Sequence, residues 1–135
     1  MFIGIATVKD EPQVFVFDKR HLTQEQLSKA ISDNRVYVAK TDGIVLGYAR
    51  YGLFWDSIPF LNMLYVPDGY NRMGVGSGLL KYWENDMRKK GYAMVLTSTM
   101  TGEKGQHFFR KHGYMDVGNL YFEDGGLELI LNKRL

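Results

Sequence analysis

Apolar residues in the second half of the chain recur with the period of an α-helix. The repeating positions are Val75, Leu79, Leu80, Trp83 and Met87. This spacing puts their side chains on one face of a helix. The segment then ends in Arg88-Lys89-Lys90 before Gly91, and basic residues followed by glycine are typical of a helix C-terminus. The pattern predicts a helix that begins near Val75 and ends at this basic run.

Runs of β-branched and aromatic residues predict strands in the rest of the chain. The predicted strands are Phe2 to Ala6, Arg35 to Lys40, Ile44 to Phe54, Ile58 to Val66, Ala93 to Thr97, Tyr114 to Phe122 and Leu127 to Leu131. Short turns separate the second, third and fourth runs, which favours an antiparallel meander. The strand, helix and strand between residues 58 and 97 predict a right-handed parallel crossover.

Three more segments have helical features of different strength. Thr23 followed three residues later by Gln26 is a capping box, which predicts a helix over residues 24–32. A second helix is predicted over residues 103–112, where Gly113 ends it. Residues 7–18 are ambiguous, because the run Val14 to Phe17 favours a strand by propensity alone.

The order of these elements indicates the fold class. Strands that alternate with helices in this way are typical of an α/β fold with a mixed central β-sheet, here flanked by about four helices. The chain has 135 residues, of which 45% are apolar, and this is the length and apolar content of one ordinary domain. We therefore expect residues 1–135 to form a single domain.

The composition argues against several classes of partner. The 17 basic and 15 acidic side chains almost cancel, so the net charge does not point to any class of partner, and we expect neither nucleic acid nor a membrane. The chain has no cysteine, which excludes disulfides, a thiol nucleophile and Cys-ligated zinc, and we predict no metal site. The N-terminus lacks the basic flank and long apolar core of a signal peptide, and we expect a cytoplasmic protein.

The most informative segment is a glycine-rich loop between a predicted strand and the long helix. Gly74, Gly76 and Gly78 lie where unpaired backbone N–H groups and the positive end of the helix dipole can bind an anion such as a pyrophosphate. Glycines also serve turns and close packing without any ligand. The loop has no Gly-Lys-Ser/Thr triplet and does not have the glycine spacing of a dinucleotide loop, which leaves coenzyme A as the candidate ligand.

Two motifs resemble those of the GNAT acyltransferases. The family's pyrophosphate motif, Gln/Arg-x-x-Gly-x-Gly/Ala, falls on the run Asn71 to Gly76 and departs from it at Asn71, where Arg72 can supply the basic contact. The family's second motif appears as Phe108-Phe109-Arg110-Lys111-His112-Gly113-Tyr114. Together with the order of elements, the resemblance covers nearly the whole chain. It implies a first helix over residues 8–18 in place of a strand.

The resemblance implies a function and a set of cofactor contacts. The expected reaction transfers an acetyl group from acetyl-CoA to a primary amine of a small-molecule or peptide acceptor, and the resemblance is compatible with a homodimer. In the family, the strand before the loop is bulged and its free backbone groups pair with the pantetheine arm. The implied cofactor-binding residues are Leu64, Tyr65, Val66, Asn71, Arg72, Met73, Gly74, Val75, Gly76, Ser77 and Phe109.

The family's catalytic residues are missing from this sequence. The tyrosine that many members use as an acid corresponds to Phe109, and the carboxylates of other members correspond to Phe60 and Thr97. We predict that Asn62 and Thr97 take part in catalysis, although Asn and Thr in strands often only satisfy a neighbour's hydrogen bond. Strand alternation puts Asn62 on the face of Leu64.

Three other predictions concern the surroundings of this site. His107 should lie on the side of its helix away from Phe109. Asp18, Asp56 and Glu123 are interpreted as loop acids. The acceptor cleft should be bordered by the loop from Asp18 to His21, the turn over residues 54–58 and the last strands.

Two other function classes remain open at this point. A degenerate domain of the same family could bind coenzyme A as a sensor or interaction module without turnover, which the missing tyrosine favours. A nucleotide-binding protein with a glycine loop is the other alternative, and its missing signature motifs argue against it.

Overall fold

The computed structural model describes residues 1–71 and 73–135 and contains a seven-stranded sheet. The strands are β1 (Phe2–Ile5), β2 (Val36–Thr41), β3 (Ile44–Phe54), β4 (Ile58–Tyr65), β5 (Met94–Met100), β6 (Met115–Tyr121) and β7 (Leu127–Arg134). Their order in the sheet is β1-β2-β3-β4-β5-β7-β6. The pairing of β4 with β5 is parallel and the other pairings are antiparallel. The predicted mixed sheet, with its meander and its parallel crossover, is therefore confirmed.

The described residues form four α-helices. They are α1 (Glu11–Asp18), α2 (Gln24–Ser32), α3 (Val75–Lys89) and α4 (Gly105–Lys111). The capping box of α2 is present, because the Thr23 hydroxyl accepts a hydrogen bond from the Gln26 amide at 3.2 Å and Gln26 Oε1 accepts one from the Thr23 amide at 2.8 Å. No helix in the described ranges combines the length and apolar character needed to cross a membrane.

Residues 11–18 form a helix even though their propensity favours a strand. Pro12 lies in the first turn of α1, where its missing N–H leaves no helical hydrogen bond unmade. Val14 and Asp18 are the buried residues of α1 and lie one turn apart. The strand suggested by residues 14–17 is wrong, and the helix implied by the resemblance is confirmed, because burial of one helical face outweighs local propensity.

The helices cover both faces of the sheet. Along β2, Tyr37 packs in the cluster formed with Leu79 and Trp83 of α3, whereas Val36 packs with residues of α1 and α2. Neighbouring strand residues point to opposite faces, so α3 lies on one face and α1 with α2 on the other. We call these the α3 face and the α1/α2 face.

The sheet opens between β4 and β5. These strands pair at Phe60 with Leu96 and at Leu61 with Thr97. Beyond Leu61, the described part of β4 has no partner on its β5 side. The register between β3 and β4 also shifts here, because Tyr51 pairs with Leu61 and Arg50 with Met63. Asn62 is therefore the extra residue of a β-bulge.

The bulge overturns one prediction about Asn62. Leu61 and Leu64 both pack in the cluster on the α3 face although they are three residues apart. Tyr51 packs on the α3 face, so a Cβ at the next residue, Gly52, would point to the α1/α2 face. That Cβ would lie 3.1 Å from the Asn62 side-chain nitrogen. Asn62 thus lies on the α1/α2 face. The prediction that it shares a face with Leu64 is wrong, because the extra residue interrupts the strand alternation.

Candidate functional site

A cleft of about 460 Å³ lies at the N-terminal end of α3. Gly74 is the N-cap of this helix, and its φ of 75° is a left-handed conformation that glycine adopts without strain. The first amides of α3 have no partner within the helix and carry the positive end of its dipole. Of the predicted cofactor residues, the cleft brings together Leu64, Val66, Asn71, Gly74, Gly76, Ser77 and Phe109.

The other predicted cofactor residues have side chains outside this cleft. The Tyr65 ring packs against Phe17 at a centroid distance of 5.2 Å, on the α1/α2 face. Val75 is fully buried in the core, and the side chain of Met73 is exposed beside a separate cavity. Arg72 lies outside the described residues.

The glycines of the loop have different roles. A Cβ added to Gly76 would lie 3.7 Å from the Phe108 ring and 3.7 Å from Val66 Cγ2, which is ordinary contact across the cleft. A Cβ added to Gly78 would lie 2.6 Å from Ile3 Cδ1. Gly78 therefore allows α3 to pack closely on β1, and the interpretation that it provides access for a ligand is wrong.

Sequence reasoning missed two polar residues at the cleft. Lys104, the N-cap of α4, lines the cleft and is its basic lining residue in the described part of the chain. His112 Nε2 lies 3.1 Å from the Ser77 hydroxyl oxygen, and the His112 ring packs 4.6 Å from the Phe108 ring. The available signal was the position of His112 inside the second motif, directly before Gly113.

The environment of His112 favours its neutral form. Partial burial lowers the pKa of the His112 imidazole, which the nearby Glu84 carboxylate opposes and the charges of Lys81, Lys133 and Lys111 reinforce. A neutral imidazole can accept a hydrogen bond from Ser77 or donate one to it, depending on the tautomer. The contact therefore links the second motif to the first turn of α3.

A second cavity, of about 340 Å³, continues from the cleft into the opening between β4 and β5. The two cavities share Leu64, Gly105 and Phe109 as lining residues. Both predicted catalytic residues, Asn62 and Thr97, line this second cavity. A ligand that enters the cleft at α3 can therefore reach these polar side chains. We call this second space the acceptor cavity, after the acceptor cleft that the sequence predicts near it.

Asn62 and Thr97 differ in how they are held. Thr97 is buried, and its hydroxyl donates to the Leu61 carbonyl oxygen at 3.1 Å, next to the last β4–β5 pair. Asn62 is exposed, and its carboxamide has no hydrogen bond to any other described residue. Asn62 also lines two neighbouring cavities, so it stands where all three meet.

The aromatic residues of the second motif pack against one another beside the cleft. Phe109 is buried, and its ring centroid lies 5.3 Å from those of Phe108 and Tyr114. The Tyr114 hydroxyl donates to Glu84 at 2.7 Å. Burial, followed by the charge of Glu84, raises the pKa of Tyr114, so this phenol holds its proton. His107 is exposed and Phe109 buried, as predicted.

Asp18 is not a loop acid. It ends α1, is fully buried, and forms a two-fold ion pair with Arg50, whose Nε lies 2.7 Å from Asp18 Oδ2 and whose NH2 lies 3.1 Å from Oδ1. Arg50 belongs to β3 next to the bulge. The pair therefore ties the end of α1, and the loop that leads to His21, to the edge of the acceptor cavity, which His21 lines.

The other two predicted borders of the acceptor cleft, the turn over residues 54–58 and the last strands, also contribute residues to cavities that Asn62 lines. Phe54 lines a cavity of about 360 Å³ together with Phe60, Asn62 and Leu120. Glu128 of β7 lines the acceptor cavity. Asp56 and Glu123 lie in exposed turns, as predicted. The described residues contain no cluster of three or more side chains suited to bind a metal ion.

Comparisons with known proteins find a family model, a related sequence and similar folds. The model of the Acetyltransferase (GNAT) family matches residues 5–114. An uncharacterized N-acetyltransferase of Methanocaldococcus jannaschii is 29% identical over 106 residues, which cover 75% of this chain and 67% of the relative. The crystal structure of a ribosomal-protein-alanine N-acetyltransferase from Brucella melitensis superposes with a TM-score of 0.85 and 21% identity over 100% of both chains. An aminoglycoside 6'-N-acetyltransferase complexed with coenzyme A has a TM-score of 0.82 and 15% identity, covering 99% of this chain and 97% of that one.

Proposed function

Because the chain belongs to the GNAT acetyltransferase family, we propose that the cleft at the start of α3 is its acetyl-coenzyme A site and the acceptor cavity its amine site. The protein transfers an acetyl group from acetyl-CoA to an amine. The observation that carries the proposal is the continuity of the two cavities through Leu64, Gly105 and Phe109. The thioester belongs at this junction, where both substrates meet.

In this proposal, the backbone holds most of the cofactor. The pyrophosphate binds the amides that follow Gly74, where helix dipole and unpaired N–H groups coincide, and Lys104 adds a positive charge. The pantetheine arm pairs with the free edge of β4 from Leu64 to Val66, as an added strand would. The full proposed set is Leu64, Tyr65, Val66, Asn71, Arg72, Met73, Gly74, Val75, Gly76, Ser77 and Phe109.

The acceptor amine enters from the α1/α2 face. The lining of the acceptor cavity by His21 and Glu128, and the position of Phe54 beside it, support the borders expected from the sequence. A small molecule or a peptide with a free amine is the proposed acceptor. The nitrogen attacks the carbonyl carbon and the carbon–sulfur bond breaks. Water accepts the proton that the attacking nitrogen releases and passes a proton to the departing thiolate.

Positioning supplies much of the rate in this mechanism. Phe109 has no proton to give, and alignment of an amine with a thioester can by itself contribute a large share of the acceleration. We propose that Asn62 orients the acetyl carbonyl or the amine from the α1/α2 face. Thr97 acts through the Leu61 carbonyl and keeps the β4–β5 opening in register.

Calorimetry of coenzyme A binding tests the cofactor site. In Gly76→Val the added side chain projects across the cleft from a position where a Cβ makes only ordinary contacts, so the variant should fold. We expect its affinity for coenzyme A to fall by about tenfold or more. Gly118→Val is the control, since nothing lies within 4 Å of a Cβ at that position. Wild-type affinity in a folded Gly76→Val would contradict the proposal.

Three predictions about the whole chain accompany the proposal: its domain organisation, its location and its assembly. Residues 1–135 are proposed to act as a single GNAT domain located in the cytoplasm, with a homodimer as its candidate assembly. The outer strand β6 supports a second copy, because it exposes Val117, Leu120 and Tyr121 along an edge strand. Light scattering of the purified chain measures its oligomeric state.

A further inference from the structure

The acceptor cavity carries negative charge. Its lining includes the carboxylates Glu103 and Glu128, and no lysine or arginine among the described residues. The adjoining cofactor cleft carries Lys104 instead. The two spaces therefore differ in sign, and the sign of each suits its proposed ligand. A coenzyme A pyrophosphate is an anion, whereas an amine acceptor arrives at neutral pH as an ammonium cation.

Glu128 is the better fixed of the two carboxylates. It lies on β7, a strand paired on both sides, opposite Met100 of β5 and Leu120 of β6. The Ser98 hydroxyl donates to Glu128 Oε2 at 2.8 Å. Within the described part of the chain, Oε1 has no hydrogen-bond donor. Glu103 is exposed in the turn before α4.

Glu128 also points to the side from which the acceptor enters. Thr97 pairs with Leu131, which packs on the α3 face, so Ser98 and its neighbour Glu128 belong to the α1/α2 face. Asn62 lies on that face as well. The acceptor cavity thus has, on the α1/α2 face, a carboxylate oriented by a hydroxyl on one strand and a carboxamide without a described partner on another. The junction residues Leu64 and Phe109 pack in the cluster on the α3 face and line the same cavity.

We propose that Glu128, held by Ser98, receives the ammonium group of the acceptor, so that the enzyme selects charged primary amines. The inference rests on the proposed function, because it places the acetyl group at the junction of Leu64 and Phe109. This carboxylate lies on a different strand from the family carboxylates that Phe60 and Thr97 replace. The ammonium then loses its proton to water before its nitrogen attacks the thioester carbon.

Two coenzyme A thioethers test the proposal without knowledge of the natural acceptor. S-(2-aminoethyl)-coenzyme A carries an ammonium beyond the sulfur, and S-propyl-coenzyme A is its uncharged counterpart. We expect calorimetry to show that the wild-type protein binds the charged analogue about tenfold more tightly than the neutral one, because a charge-assisted hydrogen bond forms. Glu128→Gln should remove this preference and leave the affinity for coenzyme A itself unchanged.

The controls separate this proposal from the cofactor site. Glu25→Gln removes a carboxylate from the exposed first turn of α2 and should keep the wild-type preference. Absence of a preference in the wild-type protein, or a preference that survives in Glu128→Gln, would overturn the role of Glu128. Failure of coenzyme A and both analogues to bind would instead contradict the proposed cofactor cleft.

A second measurement covers the case in which Glu128→Gln does not fold. A crystal structure of the wild-type protein with S-(2-aminoethyl)-coenzyme A should place the analogue's nitrogen within hydrogen-bond distance of Glu128 Oε1. A nitrogen bound to Glu103 or pointing to solvent would overturn the proposal. Ser98→Ala should reduce the preference for the charged analogue only in part, because it frees the carboxylate without removing it.

Discussion

The Asn62 carboxamide lines the acceptor cavity from the α1/α2 face. It is exposed, free of hydrogen bonds to other described residues, and carried by the bulge of β4. Thr97 lines the same cavity, yet its hydroxyl is already used by the Leu61 carbonyl. Two residues that looked alike in the sequence thus have different roles in the proposed mechanism, one in direct contact with substrate and one as a support for the strand.

Substitution of these residues should slow the reaction without abolishing it. We expect Asn62→Ala and Thr97→Ala to lower kcat/KM by about ten- to a hundredfold, on the order of 1.4 to 2.7 kcal/mol, if each only orients a reacting group or its strand. Steady-state acetylation of an amine substrate measures the effect. Asn85→Ala, on the surface of α3, is the matched control and should retain wild-type kinetics. Complete loss of turnover in Asn62→Ala would identify a more direct chemical role.

The substitution Phe109→Tyr tests whether an added side-chain acid at this position speeds up acetyl transfer. Phe109→Tyr adds a hydroxyl at the position where many family members have a tyrosine, inside the packing between Phe108 and Tyr114. We expect less than about a threefold gain in kcat, because proximity and water carry the proton transfer. Coenzyme A affinity should stay constant. A large gain in rate would contradict this expectation, because it would show that a tyrosine hydroxyl at position 109 can act as the acid.

At the scale of elements, the Asp18–Arg50 pair joins α1 to the bulged region of β3 and β4. Asp18 is fully buried, and removal of one partner leaves the other charge without compensation. We expect Asp18→Ala to lower the free energy of unfolding by about 3 to 5 kcal/mol in denaturant titrations. The exposed pair of Asp33 with Lys29 is the comparison, and Asp33→Ala should cost about 0.5 kcal/mol or less. Equal costs for the two variants would contradict this account.

At the scale of the whole molecule, His112 couples stability to pH. Its folded pKa is lowered by burial, so the unfolded chain binds the proton more readily, and the free energy of unfolding falls as the pH drops below about 6.5. Above that pH this contribution is fully present. Denaturant titrations between about pH 5 and 8 should show a smaller loss of stability at acid pH for His112→Gln than for the wild-type protein. His107→Gln, an exposed control, should keep the wild-type dependence.

Much of the architecture was predictable from local pattern. The spacing from Val75 to Met87 predicted α3, the capping box at Thr23 predicted α2, and the strand runs predicted each strand within a few residues. These signals depend on periodicity and on the chemistry of chain ends, which act over a few residues and are therefore legible in one sequence. The glycine loop and the second motif both contribute residues to the cleft that is proposed to bind the cofactor.

The tertiary structure decided what depends on contacts between distant segments. Residues 14–17 are helical because packing on the sheet outweighs their propensity, and Gly78 lies against the Ile3 side chain of β1. The bulge turned Asn62 to the α1/α2 face. The sequence likewise does not reveal that β7 pairs directly with β5, a register that places Glu128 beside Ser98. Strand pairing and burial bring together residues far apart in the chain, and no local pattern encodes which partners meet.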